Sequence, residues 1–151
     1  MRVVRWLITF CLLAGVAPGS AWGQSLQARI GAAAPGDTIV VTGGVHEGPF
    51  VVDTPLVLQG RNRPHLKGDE QTHVVAIDAA DVTIEGFRIS GSGTDLGDDH
   101  AGVMVRAPRA TIRDNHLSDV LHGVYVKGAD RAVVVENVIE GPPTVTRRVS
   151  P

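Results

Sequence analysis

The chain has 151 residues, of which 43% are hydrophobic and 4% aromatic, which fits one globular domain and excludes a large multidomain enzyme. Lys and Arg total 14 against 16 Asp and Glu, for a formal net charge of −2. There is no basic excess of the kind that binds a phosphate backbone. The composition therefore argues against nucleic acid as a partner.

Residues 1–23 have the pattern of a secretory signal peptide. Arg2 and Arg5 make a short basic start, and residues 6–17 are apolar throughout. Small residues follow, so we expect cleavage before Gln24, with cleavage after Ala21 as the alternative. The apolar run of about 12 residues is shorter than the roughly 20 that span a bilayer, which predicts export to the periplasm without a permanent membrane span. Cleavage also removes the only cysteine, which excludes disulfides and thiolate metal sites.

Residues 24–38 are predicted to form an N-terminal cap. Leu26 and Ile30 are at helical spacing, and Ser25 is a suitable N-cap residue. Turn residues then end the helix, and a β-branched run that begins at Ile39 predicts the first strand.

Residues 39–141 contain a repeated segment that reads apolar, variable, apolar, polar, turn. Successive copies start 26, 28 and 22 residues apart, a period too short for crossover helices. This pattern favours an all-β fold, a right-handed parallel β-helix of about four rungs. Equivalent residues would then stack in columns, with Asn115 and Asn137 forming a hydrogen-bonded ladder at one turn. The four copies are residues 56–60, 82–86, 110–114 and 132–136.

Two segments depart from the repeat. The spacing of 28 indicates an insertion of about six residues, which we place in the Gly- and Asp-rich loop 91–100. Residues 142–151 carry several prolines and no capping helix, so we expect an irregular tail on a truncated protein. The last rung, residues 133–139, would then have an open edge that invites self-association.

Histidines and acids are the candidate metal ligands, because the predicted exported chain keeps one methionine and no cysteine. Alignment of the repeats places His73 and His122 in one column, two rungs or about 10 Å apart. His100 adjoins the intervening rung and could close the gap, with Asp98 and Asp99 beside it. Imidazole ligands suit Cu(II), Zn and Ni. The alternative is that all three are solvated turn histidines that bind nothing.

The chain contains five segments, at residues 32–41, 55–60, 82–93, 98–102 and 122–128, in addition to the repeat pattern itself. Together they resemble the NosD family, over roughly residues 25–140. The resemblance implies a periplasmic β-helix protein, not an enzyme, that helps to mature the copper sites of nitrous oxide reductase. It further implies copper as the cofactor or cargo and the following partners: an ABC transporter ATPase and permease of the NosF and NosY type, a copper chaperone and nitrous oxide reductase. The family's chain is longer than this one.

Two other classes of function stay open. A carbohydrate-active β-helix enzyme, of the polysaccharide lyase or epimerase type, could use Asp98, Asp99 and His100 for acid–base chemistry. However, adjacent carboxylates in a strand face opposite ways, and the aromatic residues that usually line a glycan groove are few. A purely structural or adhesive β-helix would need no site at all.

Overall fold

The computed structural model describes residues 24–141, which form one short helix followed by fourteen short strands. Residues 1–23 and 142–151, to which we assigned a signal peptide and an irregular tail, lie outside the described residues. Within the described range, no helix is long and apolar enough to cross a membrane.

The helix α1 spans Leu26–Gly31 and begins as the sequence predicts. The Ser25 hydroxyl accepts a hydrogen bond of 3.2 Å from a backbone N–H in the first turn, which satisfies one of the free donors there. Ile30 is fully buried against the first strands. The Asp37 carboxylate accepts a hydrogen bond of 2.8 Å from the Ala34 N–H, closing the turn into the first strand.

The strands follow one another in five turns of a solenoid, the last of which has two described strands. The first turn contains β1 (Thr38–Thr42), β2 (Val45–Glu47) and β3 (Phe50–Val52), and the second β4 (Val57–Arg61), β5 (His65–Lys67) and β6 (Val75–Ile77). The third contains β7 (Thr83–Glu85), β8 (Arg88–Ser90) and β9 (Ala101–Val105), and the fourth β10 (Thr111–Arg113), β11 (His116–Leu117) and β12 (His122–Val126). The fifth contains β13 (Val133–Val135) and β14 (Val138–Ile139).

Each turn contributes one strand to each of three parallel sheets. Their orders are β1-β4-β7-β10-β13, β2-β5-β8-β11-β14 and β3-β6-β9-β12. These sheets surround a core of aliphatic side chains with two buried aromatic rings, Phe50 and Phe87. The prediction of a parallel β-helix is confirmed. The predicted count of about four rungs was one too low. Residues 39–43 fit the repeated pattern, but β1 pairs with β4 in a register shifted by two residues, with Ile39 opposite Leu58.

The predicted columns are present in the strand register. Thr83, Thr111 and Val133 are aligned, as are the inward residues that follow each of them. Ile84 and Ile112 are fully buried, and burial of such a side chain stabilises the fold by about 1.5–3 kcal/mol.

The predicted asparagine ladder is confirmed. The Asn115 amide accepts a hydrogen bond of 3.0 Å from the Phe87 N–H and donates one of 3.0 Å to the Ile84 carbonyl. The Asn137 side-chain amide donates a hydrogen bond of 2.8 Å to the Ile112 carbonyl. Its oxygen accepts one of 3.1 Å from the Asn115 side-chain amide. Each asparagine therefore satisfies backbone groups of the preceding turn of the solenoid.

Ion pairs connect successive turns on the outside of the solenoid. Three of them join residues 28 positions apart, so the acidic and basic partners lie on neighbouring rungs. They are Asp78 with Arg106, Asp81 with Arg109 and Glu85 with Arg113.

Candidate functional site

The corner between the second and third sheets carries the longest connections of the described chain. It has two residues in the first turn, seven in the second (68–74), ten in the third (91–100) and four in the fourth. The loop at 91–100 is where the sequence predicts an insertion. The seven-residue connection at 68–74 was not predicted, although its polar run from Asp69 to Thr72 was a signal for it.

Backbone hydrogen bonds hold these two loops side by side. The Glu70 N–H donates to the Gly91 carbonyl at 3.1 Å, and the Gly93 N–H donates to the Thr72 carbonyl at 2.8 Å. The buried Ser92 hydroxyl accepts from a backbone N–H of the next turn at 2.9 Å. The base of the loop is therefore fixed to the solenoid on both sides.

A polar cleft of about 380 Å³ lies between the two loops. Three carboxylates face it, and no Lys or Arg belongs to the described residues that line it, so its charge is negative. The lining residues are Glu70, Gln71, Gly93, Thr94, Asp95, Asp98 and His100.

His100 forms the inner wall of this cleft and is only 8% exposed. Its ring lies against Gly93, where a Cβ atom would collide with Nδ1, so only glycine fits at position 93. Nδ1 has no hydrogen-bond partner among the described residues. Nε2 lies 3.9 Å from the Asp98 carboxylate, which is itself largely exposed.

His73 packs against His100 with its ring edge-on, at a centroid distance of 5.6 Å. The Nδ1 atom of His73 accepts a hydrogen bond of 3.2 Å from the Ala101 N–H, so in the neutral ring the proton is on Nε2. Burial, the charge of Arg106 and the neighbouring His100 lower the pKa of His73. A neutral imidazole is the form that binds metal ions.

His122 and Asp99 belong to a separate cluster around Tyr125. Strand pairing aligns His122 with Ala101, as the predicted column requires. The His122 ring, however, packs on Tyr125 at a centroid distance of 5.5 Å. The Asp99 carboxylate lies beside the Tyr125 hydroxyl and raises the pKa of Tyr125. Of the five predicted ligands, the structure thus places His73 in contact with His100, and His100 at 3.9 Å from Asp98.

No three His, Cys, Asp or Glu side chains within residues 24–141 are grouped so that they could hold a metal ion. The imidazoles of His73 and His100 are in contact, with the Asp98 carboxylate 3.9 Å from His100. The metal site stays a prediction. Asp98 and Asp99 approach different partners, His100 and Tyr125 respectively. They therefore do not flank a common point, as a pair of carboxylates acting on one bond would.

A second polar cleft, of about 310 Å³, lies along the first sheet. Glu85, at its centre, accepts a hydrogen bond of 2.6 Å from the Gln59 amide and forms an ion pair with Arg113. The Glu85 carboxylate is thus satisfied by neighbours on the preceding and the following turn, which indicates a structural role for it.

The solenoid and its paired corner loops define a parallel β-helix protein with one elaborated edge. Two curated proteins are similar to it in sequence, both named probable ABC transporter binding protein NosD. The one from Pseudomonas aeruginosa is 32% identical over 104 residues, which are 68% of this chain and 24% of the relative. The one from Stutzerimonas stutzeri is 29% identical over 100 residues, which are 65% and 23%. This similarity confirms the resemblance to NosD proteins that is seen in the sequence.

The chain spans about a quarter of the length of these curated relatives. No protein-family profile and no solved structure matches it.

Proposed function

We propose that this protein is a periplasmic accessory factor for copper-site maturation of nitrous oxide reductase, that it works with an ABC transporter, and that it is not an enzyme. The observation that carries the proposal is the similarity to two NosD proteins, each named as an ABC transporter binding protein. The periplasmic location rests on the signal-peptide pattern of residues 1–23.

The fold supports a binding role. Stacked strands hold outward side chains at a fixed spacing of about 4.8 Å, which gives a long rigid face for contact with other proteins. The divergence of Asp98 and Asp99 favours this role over that of a carbohydrate-active enzyme, because acid–base catalysis on a glycosidic bond needs two carboxylates aimed at one bond.

Copper would be the cargo of such a factor, and His73 with His100 is where we propose that it binds. Their rings are in contact, and Nδ1 of His100 lacks a partner in the described chain. Asp98 is the carboxylate that lies beside His100. His122 and Asp99 belong to the neighbouring cluster around Tyr125 and would have to move to contact the same copper ion. Two imidazoles with one exposed carboxylate form a weak site, and weak binding suits a protein that passes its copper on.

The test is carried out in cells that make nitrous oxide reductase. Deletion of the gene should lower the copper content and activity of the reductase, and the intact gene should restore both. A reductase that stays fully loaded with copper after deletion would reject the proposed function.

The metal site is tested separately with His73→Ala/His100→Ala. His46→Ala is the matched control, because the His46 ring bonds only to a backbone carbonyl of its own turn, at 3.1 Å. The double variant should reduce copper loading and the control should not. Unchanged loading in the double variant would remove the site from the proposal and leave the accessory role standing.

A further inference from the structure

Three carboxylates face the corner cleft, and none of them pairs with a Lys or Arg side chain of the described residues. Along residues 24–141, no ion pair joins Glu70 or Asp95 to a basic side chain, and Asp98 has only the contact of 3.9 Å with His100. Arginines pair with acids elsewhere on the same surface. The cleft therefore concentrates negative charge that the described chain does not neutralise.

An exposed apolar side chain stands next to this charge. Leu96, in the same inserted loop, is 76% exposed, more than any other large hydrophobic residue of the described chain. A small apolar pocket of about 80 Å³ opens beside the loop and is lined by Thr94, Asp119, Val120 and Leu121. Exposed apolar groups bordered by charge are typical of protein interaction sites.

The buried wall of the cleft gives an independent indication of a ligand. The His100 side chain is 11% exposed and lines the cleft, yet its Nδ1 atom is buried and has no hydrogen-bond partner in the described residues. Native folds satisfy nearly all buried polar atoms, so an unpaired one in a cleft wall is expected where a ligand completes the site. Arg106, whose charge acts on the neighbouring His73, already forms an ion pair with Asp78.

We infer that the cleft and Leu96 form a docking site for a basic, partly apolar segment of a partner protein. An Arg or Lys side chain of that segment enters the cleft between Glu70, Asp95 and Asp98. Arginine fits better, because its planar guanidinium can pair with two carboxylates at once. A neighbouring apolar side chain packs on Leu96 and the small pocket beside it. The docking site shares Asp98 and His100 with the proposed copper site, but the inference rests on the geometry of the corner and does not require that copper binds there.

The experiment measures binding of a fluorescent peptide of alternating Arg and Leu to the full protein by anisotropy, with a peptide of alternating Glu and Leu for comparison. The cleft variant is Glu70→Gln/Asp95→Asn/Asp98→Asn. The matched control, Glu47→Gln/Asp53→Asn, neutralises exposed acids on other parts of the solenoid. All the substituted residues are exposed and the amides keep an acceptor oxygen, so folding should be unaffected, which circular dichroism checks.

The Arg peptide should bind to the unaltered protein. Its affinity for the cleft variant should be roughly tenfold weaker, because the charge pairs at the interface are lost. Leu96→Ser should weaken it a few-fold. Binding should fall with added salt, and the control variant should behave like the unaltered protein.

Three results would overturn the inference. The first is equal affinity of the Arg peptide for the unaltered protein and the cleft variant. The second is equally tight binding of the Glu peptide. The third is tight binding of Ca²⁺ alone that the cleft substitutions abolish and that displaces the Arg peptide, since the cleft would then be a metal site.

Discussion

Asn115→Ala should be among the most destabilising single substitutions in the stack, because Asn115 is 1% exposed and its amide connects two turns. The change removes the acceptor of the Phe87 N–H and the donor to the Ile84 carbonyl, both bonds of 3.0 Å. Each buried backbone group left without a partner costs about 1–3 kcal/mol. We therefore expect a loss of roughly 2–5 kcal/mol, a large part of the 5–15 kcal/mol of a typical domain.

The assay is urea unfolding followed by circular dichroism, with the change read from the midpoint at constant slope. Asn137→Ala provides a graded control, because Asn137 makes the same kind of bond to Ile112 but is half-buried and more open to water. It should cost clearly less, since water can replace the lost partner. A loss below about 1 kcal/mol for Asn115→Ala, or a larger loss for Asn137→Ala, would show that the ladder does not stabilise the stack as argued.

Three further predictions concern packing and charge. Gly93→Ala should push the His100 ring out of place and lower the unfolding midpoint, whereas the same change in the exposed Gly97 should not; an unmoved His100 ring signal in NMR would contradict this. Burial and two nearby basic side chains lower the pKa of His65, so stability should be full above its ordinary value of 6.5 and fall as the pH drops below it. Urea unfolding above and below that pH should show that His65→Gln loses less stability on acidification than the unaltered protein. An equal loss of stability in both would refute the assignment to His65. Hydrogen bonding to Arg109 lowers the pKa of Asp81, so the stabilisation by this pair should persist above pH 3.8 and disappear as the pH falls through the lowered pKa. NMR titration should find the Asp81 pKa below 3.8 and return it towards that value in Arg109→Gln, and no change in the variant would be the contrary result.

The stacked part of the fold could be predicted from the sequence because parallel strands keep residues in columns. The alignment of Ile84 with Ile112 and the asparagine ladder both follow from the period alone. The first turn escaped this reasoning, because the spacing between paired residues of the first two turns is shorter and its copy of the pattern, residues 39–43, is out of register with the next one. Within the described residues, β13 and β14 pair only with the preceding turn and carry exposed Val and Ile side chains. That they form the last rung and self-associate stays a prediction.

The sequence predicted which residues lie near the candidate site, but it predicted their arrangement only in part. The register placed His73 and His122 correctly in one column, but a column does not determine where a side chain on a loop points. Asp99 has a positive φ of 51°, and its carboxylate lies by Tyr125 while that of Asp98 lies by His100. The contact between His100 and Gly93 depends on the path of the loop, for which the sequence contains no periodic signal.

The uneven corner has a consequence for how such a protein can change. Successive turns connect the second and third sheets with two, seven, ten and four residues, yet the strands on either side pair without a shift in register. Loop length at this corner is therefore decoupled from the rest of the stack. A binding surface could be enlarged, exchanged or removed there by insertion and deletion, with little effect on folding, so the corner is a natural place to graft foreign loops onto the scaffold.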